Sequence, residues 1–96
     1  GIIENLPRVL PKNKAAKINL DKIKTLKIFK FLKNNKISDF EMLKTFNCGV
    51  GFCLIINKKN LEKVKNIFSR KFKPYPIGKI IDYKSKKIVF DGKIKF

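Results

Sequence analysis

The sequence predicts a layered α/β domain of the α+β type, and three observations carry that expectation. Residues 50–56 are apolar on both alternating faces apart from Gly51, the signature of a strand covered on both sides. Residues 16–20 alternate apolar and polar side chains, as a short half-buried strand does. Between them, Ser38-Asp39-Phe40-Glu41 is a capping box, in which hydroxyl and carboxylate satisfy the orphan amides of a new helix.

The remaining elements follow in order. Residues 4–10 suit one helical turn around Pro7, which tolerates an early helical position, and residues 11–14 read as a loop. Leu26, Ile28, Phe29, Phe31 and Leu32 crowd too closely for a one-sided strand and predict a short, deeply docked helix ending at Asn34-Asn35-Lys36. Phe40, Leu43 and Phe46 are expected to form the buried stripe of the helix that Ser38 opens. Asn60 is placed to cap a further helix, whose inner face carries Leu61, Val64, Ile67, Phe68 and Phe72 before Pro74-Tyr75-Pro76 ends it. Residues 77–83 and 87–90 read as strands joined through Lys84-Ser85-Lys86, and Asp91-Gly92 marks a turn without a clean hairpin register. The expected order is turn, β, α, α, β, α, β, β.

Composition limits the classes available. A chain of 96 residues that is 44% hydrophobic suits one small folded domain or part of a larger one, not a disordered basic tail. No apolar run approaches the ~20 residues needed to span a bilayer, which leads to the expectation of a soluble, cytoplasmic protein with no membrane partner. With no histidine and no C-x-x-C spacing, no metal site is expected. Cys48 and Cys53 fall on opposite faces of the expected strand, so two buried reduced thiols are predicted, not a disulfide.

The net charge of +17 suggests polyanion binding, and the alternative function is a small basic nucleic-acid-binding module. Nearly all of that charge is lysine, with Arg8 and Arg70 the only arginines. Base readers lean on arginine forks, and single-strand binders add stacking aromatics. Most phenylalanines here sit at core spacing instead, so no specific nucleic-acid partner is expected.

Two segments carry the chemical signal. Gly49 and Gly51 lie where a helix end meets an apolar run, and glycine there either serves a structural turn or lets a ligand approach exposed amides. Asn47 adds a donor and an acceptor, and Thr45 a hydroxyl. In the first segment, Arg8 is an arginine in a chain that otherwise uses lysine, which points to a planar fork for phosphate, carboxylate or a structural partner. Asn5 and Glu4 beside it suit either a ribose hydroxyl or amidine nitrogen, or a helix cap with a surface ion pair.

Together these segments resemble a known family. The run Glu4-Asn5-Leu6-Pro7-Arg8-Val9-Leu10-Pro11, then Glu41-Met42, then Thr45-Phe46-Asn47-Cys48-Gly49-Val50-Gly51, then Ile77-Gly78, is similar to the C-terminal region of phosphoribosylformylglycinamidine cyclo-ligase, also called aminoimidazole ribonucleotide synthetase. Ile28-Phe29 and Phe31-Leu32, followed by Ile37-Ser38, match the spacing as well, and the resemblance fades after about Tyr83. Selenophosphate synthetases, thiamine-phosphate kinases and formylglycinamidine ribonucleotide synthetases share the fold but are not expected to carry both motifs.

The resemblance implies a purine-biosynthesis ligase. Such an enzyme uses ATP to cyclise formylglycinamidine ribonucleotide to aminoimidazole ribonucleotide, giving ADP and phosphate. It also implies a two-domain homodimer whose N-terminal domain holds most of the ATP and Mg2+, with residues 1–96 forming part of the layered α/β/α C-terminal domain. Gly1 resembles the last glycine of the family's glycine run. The expectation is therefore a piece truncated at its N-terminal side, inactive alone and binding no cofactor, that pairs with a second copy or with the missing N-terminal segment. By the same resemblance, Glu4, Asn5, Arg8, Asn47, Gly49 and Gly51 are expected to contact substrate, with no catalytic proton-transfer residue and no metal ligand among them.

Overall fold

A computed structural model describes residues 1–96, and it is an α+β domain built on a small mixed sheet. The chain begins with helix α1 (Ile2–Asn5), which runs directly into a 3-10 turn (Leu6–Val9) with Pro7 in its first turn. Strand β1 (Lys14–Asn19) follows, and then helices α2 (Lys27–Lys33) and α3 (Asp39–Thr45). Helix α4 (Leu61–Ile67) and strands β2 (Gly78–Asp82) and β3 (Ile88–Asp91) complete the chain.

The two C-terminal strands do not form a hairpin. The order is β2-β1-β3, with β1 central, antiparallel to β2 and parallel to β3. Residues 83–87 carry the chain from one edge of the sheet to the other, past the start of β1. That passage is held by the Tyr83 amide donating to the Asn13 carbonyl (2.9 Å) and the Ala16 amide donating to the Lys87 carbonyl (2.9 Å). The Lys87 ammonium donates to the carbonyls of Pro11 and Lys14, so one cation ties down the loop entering β1. Residues 83–87 are no hairpin turn because β1 occupies the place between β2 and β3, and Asp91-Gly92 closes β3 with no strand after it to pair with.

The core lies where one face of β1 meets α1 and α3. Ala16, Ile18, Ile2, Leu6, Met42, Leu43 and Cys48 are buried there, joined by Leu20, Ile23 and Ile94. Helix α3 starts as expected: the Ser38 hydroxyl accepts from the Glu41 amide at 3.2 Å. Its buried stripe holds Leu43 as expected, with Phe46 packed against the core, but Met42 faces inward in place of Phe40, which is exposed. Helix α2 is not deeply docked either. Only Phe29 and Leu32 reach the core, Phe29 packing on Phe46 with ring centroids 6.3 Å apart, while Ile28 and Phe31 point to solvent.

The largest departure concerns residues 50–56, which form no strand. They run extended; beyond the Val50 amide, which bonds back to the Asn47 carbonyl, residues 51–56 make no backbone hydrogen bond, and Phe52, Leu54, Ile55 and Ile56 are exposed. A strand exists only by pairing, and the sheet of this chain offers these residues no neighbour. The same lack of cover leaves Ile67, Phe68 and Phe72 exposed on or beyond α4, which stops at Ile67. Asn60 makes no side-chain cap there; Asn57 does the capping, accepting from the Lys59 amide at 3.1 Å in the preceding turn.

Candidate functional site

The first of the two segments is shaped by a one-turn repeat. Ile2 and Leu6, four residues apart, are buried, and this turns Glu4 and Arg8 toward solvent. Asn5 is fastened by both its backbone amide and its side-chain nitrogen to the Gly1 carbonyl, at 3.1 and 2.8 Å. That arrangement leaves the Asn5 amide oxygen as its open polar atom.

The second segment leaves α3 through a left-handed turn. Cys48 and Gly49 both have positive φ, 52° and 104°. The Asn47 side-chain oxygen accepts from the Gly49 amide at 2.8 Å, and the Val50 amide closes onto the Asn47 carbonyl at 2.8 Å. Two of the amides expected to face an anion are therefore used within the turn itself. Cys48 anchors it from below: it is buried, its Sγ lies 3.4 Å from the Met42 carbonyl, and burial pushes its thiol above the ordinary cysteine pKa. Cys53, in contrast to the expectation of a second buried thiol, is exposed, and both cysteines are free.

Packing of α1 on α3 brings the segments together around a hollow of about 210 Å3. Asn5, Asn47 and Gly51 line it, together with Val50, Phe52 and Cys53. Gly49 does not; it borders a larger, neighbouring cavity. Glu4 and Arg8 line neither. Both are exposed, and Arg8 makes no ion pair or hydrogen bond, so its guanidinium is uncommitted. Thr45 is exposed and outside the hollow. The sequence reading missed Val50, Phe52 and Cys53 as lining residues because their apolar run reads as strand interior; their position directly after the glycine turn is the only signal that marks them.

The two glycines differ sharply in what surrounds them. A Cβ on Gly49 would strike the Lys24 carbonyl and sit 3.3 Å from the Thr25 Cα, in a backbone conformation that favours glycine. A Cβ on Gly51 would meet nothing within 4 Å. Gly49 is required by the fold, whereas the space at Gly51 is open toward the hollow. No three His, Cys, Asp or Glu side chains come together anywhere in the chain, so these residues offer no cage for a metal ion. No helix is long and apolar enough to cross a membrane.

Comparison with known proteins agrees with this arrangement of motifs. Residues 1–91 match the family described as AIR synthase related protein, C-terminal domain, so the likeness continues past Tyr83 through β3. The chain is 40% identical over 89 residues to the bifunctional purine biosynthetic protein purD of Dictyostelium discoideum, covering 91% of this chain and 11% of that protein. It is 41% identical over 86 residues to the trifunctional purine biosynthetic protein adenosine-3 of Chironomus tentans, covering 88% of this chain and 6% of that protein. The chain thus spans a small part of the length of these relatives. With a family match across nearly all of its residues, it belongs to the AIR synthase related proteins as a C-terminal domain.

Proposed function

We propose that this domain forms the substrate-facing side of an ATP-dependent cyclo-ligase of purine biosynthesis, which converts formylglycinamidine ribonucleotide to aminoimidazole ribonucleotide. In that reaction ATP phosphorylates the formyl-amide oxygen. A substrate nitrogen then attacks the activated carbon, and the oxygen leaves with the phosphate, closing the ring and releasing ADP and inorganic phosphate. The observation that carries the reading is the meeting of Asn5 with Asn47 and Gly51 around one hollow.

The roles follow from what each group has free. The Asn5 oxygen accepts from a substrate hydroxyl or nitrogen, while Asn47, its own oxygen engaged at Gly49, offers its amide hydrogens. Arg8, exposed one turn beyond Glu4, supplies a planar fork to a phosphate carried outside the hollow. None of these groups is a proton-transfer acid or base, which suits a reaction driven by ATP and by positioning. ATP and Mg2+ belong to residues outside this chain, and the chain alone is inactive.

The test is made in the intact enzyme. Gly51→Ala places a methyl in open space, so the fold tolerates it, and KM for the ribonucleotide is expected to rise by about tenfold with the melting temperature unchanged. Arg8→Lys keeps the charge but loses the fork, and is expected to lower kcat/KM by a similar factor. Unchanged kinetics in both variants would remove these segments from the site.

A further inference from the structure

We propose that Tyr75 is a positioning residue for the Asn47 side of the hollow, acting through the Lys24 main chain and Gly49, a role that rests on the ligase reading above. Tyr75 borders the larger neighbouring cavity with Gly49 but does not line the hollow itself, so it reaches that site only through its neighbours. Its hydroxyl accepts from the Lys24 amide at 3.0 Å, and the Lys24 ammonium lies 4.5 Å from the centroid of its ring. One side chain thus grips Lys24 at both its backbone and its charged end.

This prop has a stiff base. Pro74 fixes its own φ, and Pro76 holds the preceding Tyr75 to extended backbone. Just beyond, the Ile77 carbonyl accepts from the Asn19 amide at 2.7 Å and β2 begins at Gly78, so the Pro-Tyr-Pro run hangs on the sheet. On the other side of Lys24, the Thr25 hydroxyl donates to the Lys95 carbonyl at 2.7 Å, next to Ile94, which is buried in the core. Lys24 and Thr25 belong to no helix or strand, yet both are held.

What those two residues support is the turn after α3. The Lys24 carbonyl and the Thr25 Cα lie so close to Gly49 that a Cβ there would collide. Gly49 in turn donates its amide to the Asn47 side-chain oxygen at 2.8 Å, which sets the orientation of the Asn47 amide group at the edge of the hollow. Removing the Tyr75 hydroxyl leaves the Lys24 amide without its acceptor, and the main chain behind Gly49 is then free to swing toward water. A displacement of about 1 Å at a substrate-positioning group is enough to impair substrate use.

The test compares Tyr75→Phe with Tyr83→Phe in the intact enzyme. The second variant also removes a phenol hydroxyl, one that donates to the Ser85 carbonyl at 3.4 Å and belongs to a residue lining neither cavity. Tyr75→Phe is expected to raise KM for the ribonucleotide about three- to tenfold with kcat within about twofold, and to speed hydrogen exchange at the amides of residues 47–50; Tyr83→Phe changes neither. Unaltered exchange at those amides in Tyr75→Phe overturns the proposal, whatever happens to the melting temperature, and so do equal changes in the two variants. Faster exchange with KM unchanged, where Gly51→Ala does raise KM, overturns it as well, because the turn then moves without consequence for substrate. Faster exchange with KM unchanged in both Tyr75→Phe and Gly51→Ala keeps Tyr75 as the prop of the turn and sinks the ligase reading instead.

Discussion

At the scale of single residues, Gly49 and Gly51 stand two positions apart and answer to different demands. Gly49 holds φ at 104° against the Lys24 backbone, so Gly49→Ala must strain the turn and push on a main-chain carbonyl, not on the yielding end of a side chain. The expected cost is about 1–3 kcal/mol, measured by urea unfolding, with no comparable loss for Gly51→Ala. A spacing motif in the sequence shows both glycines alike, because neither backbone angle nor surrounding space is written in it. The Lys14–Asp82 pair gives a second residue-scale prediction. Its 2.7 Å contact joins directly opposed residues of β1 and β2, and the hydrogen bond from Lys14 holds the Asp82 carboxyl below its ordinary pKa. Because the folded-state value is depressed, the contribution is full above the unfolded carboxyl pKa near ~4 and is lost as pH falls through the lower folded value. Asp82→Asn is therefore expected to lessen the loss of thermal stability on acidification below about pH 4, with the difference small because the pair is exposed.

At the scale of elements, helix α3 does the most positioning. It packs on α1, delivers the turn at residues 47–49 and buries Met42 completely. Met42→Ala is expected to cost about 2–5 kcal/mol, enough to threaten a marginal domain, while Ser38→Ala should cost about 1 kcal/mol through loss of the cap; chemical denaturation distinguishes them. Ser38 was legible because a cap is a local device, with hydroxyl and amide three residues apart. Met42 was overlooked in favour of Phe40, because hydrophobicity alone does not tell which side of a seven-residue helix meets the sheet. The strands at residues 14–19, 78–82 and 88–91 were legible within a residue or two from their alternation. Their order was not, since a central β1 between β2 and β3 depends on where residues 83–87 cross.

At the scale of the whole molecule, the chain is open. Its radius of gyration of 14.0 Å exceeds the ~12.5 Å typical of this length, and one dimension is only 20 Å. Apolar side chains on residues 51–56 and around α4 remain uncovered for that reason, and the lysines are left to dominate long-range electrostatics. Any nucleic-acid affinity of the chain is expected to fall steeply with salt and to be equal for unrelated sequences of one length, as read by a salt titration. A sequence preference that survives at 200 mM salt would instead revive a dedicated binding role.

The sequence by itself determined the family, the α+β class, the helix cap at Ser38 and the two motif segments, because each rests on residue identity or on spacing along a short stretch. Tertiary structure alone decided that Asn5, Asn47 and Gly51 share a hollow while Glu4 and Arg8 stand outside it. It likewise decided that residues 50–56, strand-like in every local respect, form no strand. The physical reason is the same in both cases: a shared cavity and a paired strand require backbone groups distant in sequence, and local preference cannot supply the partner.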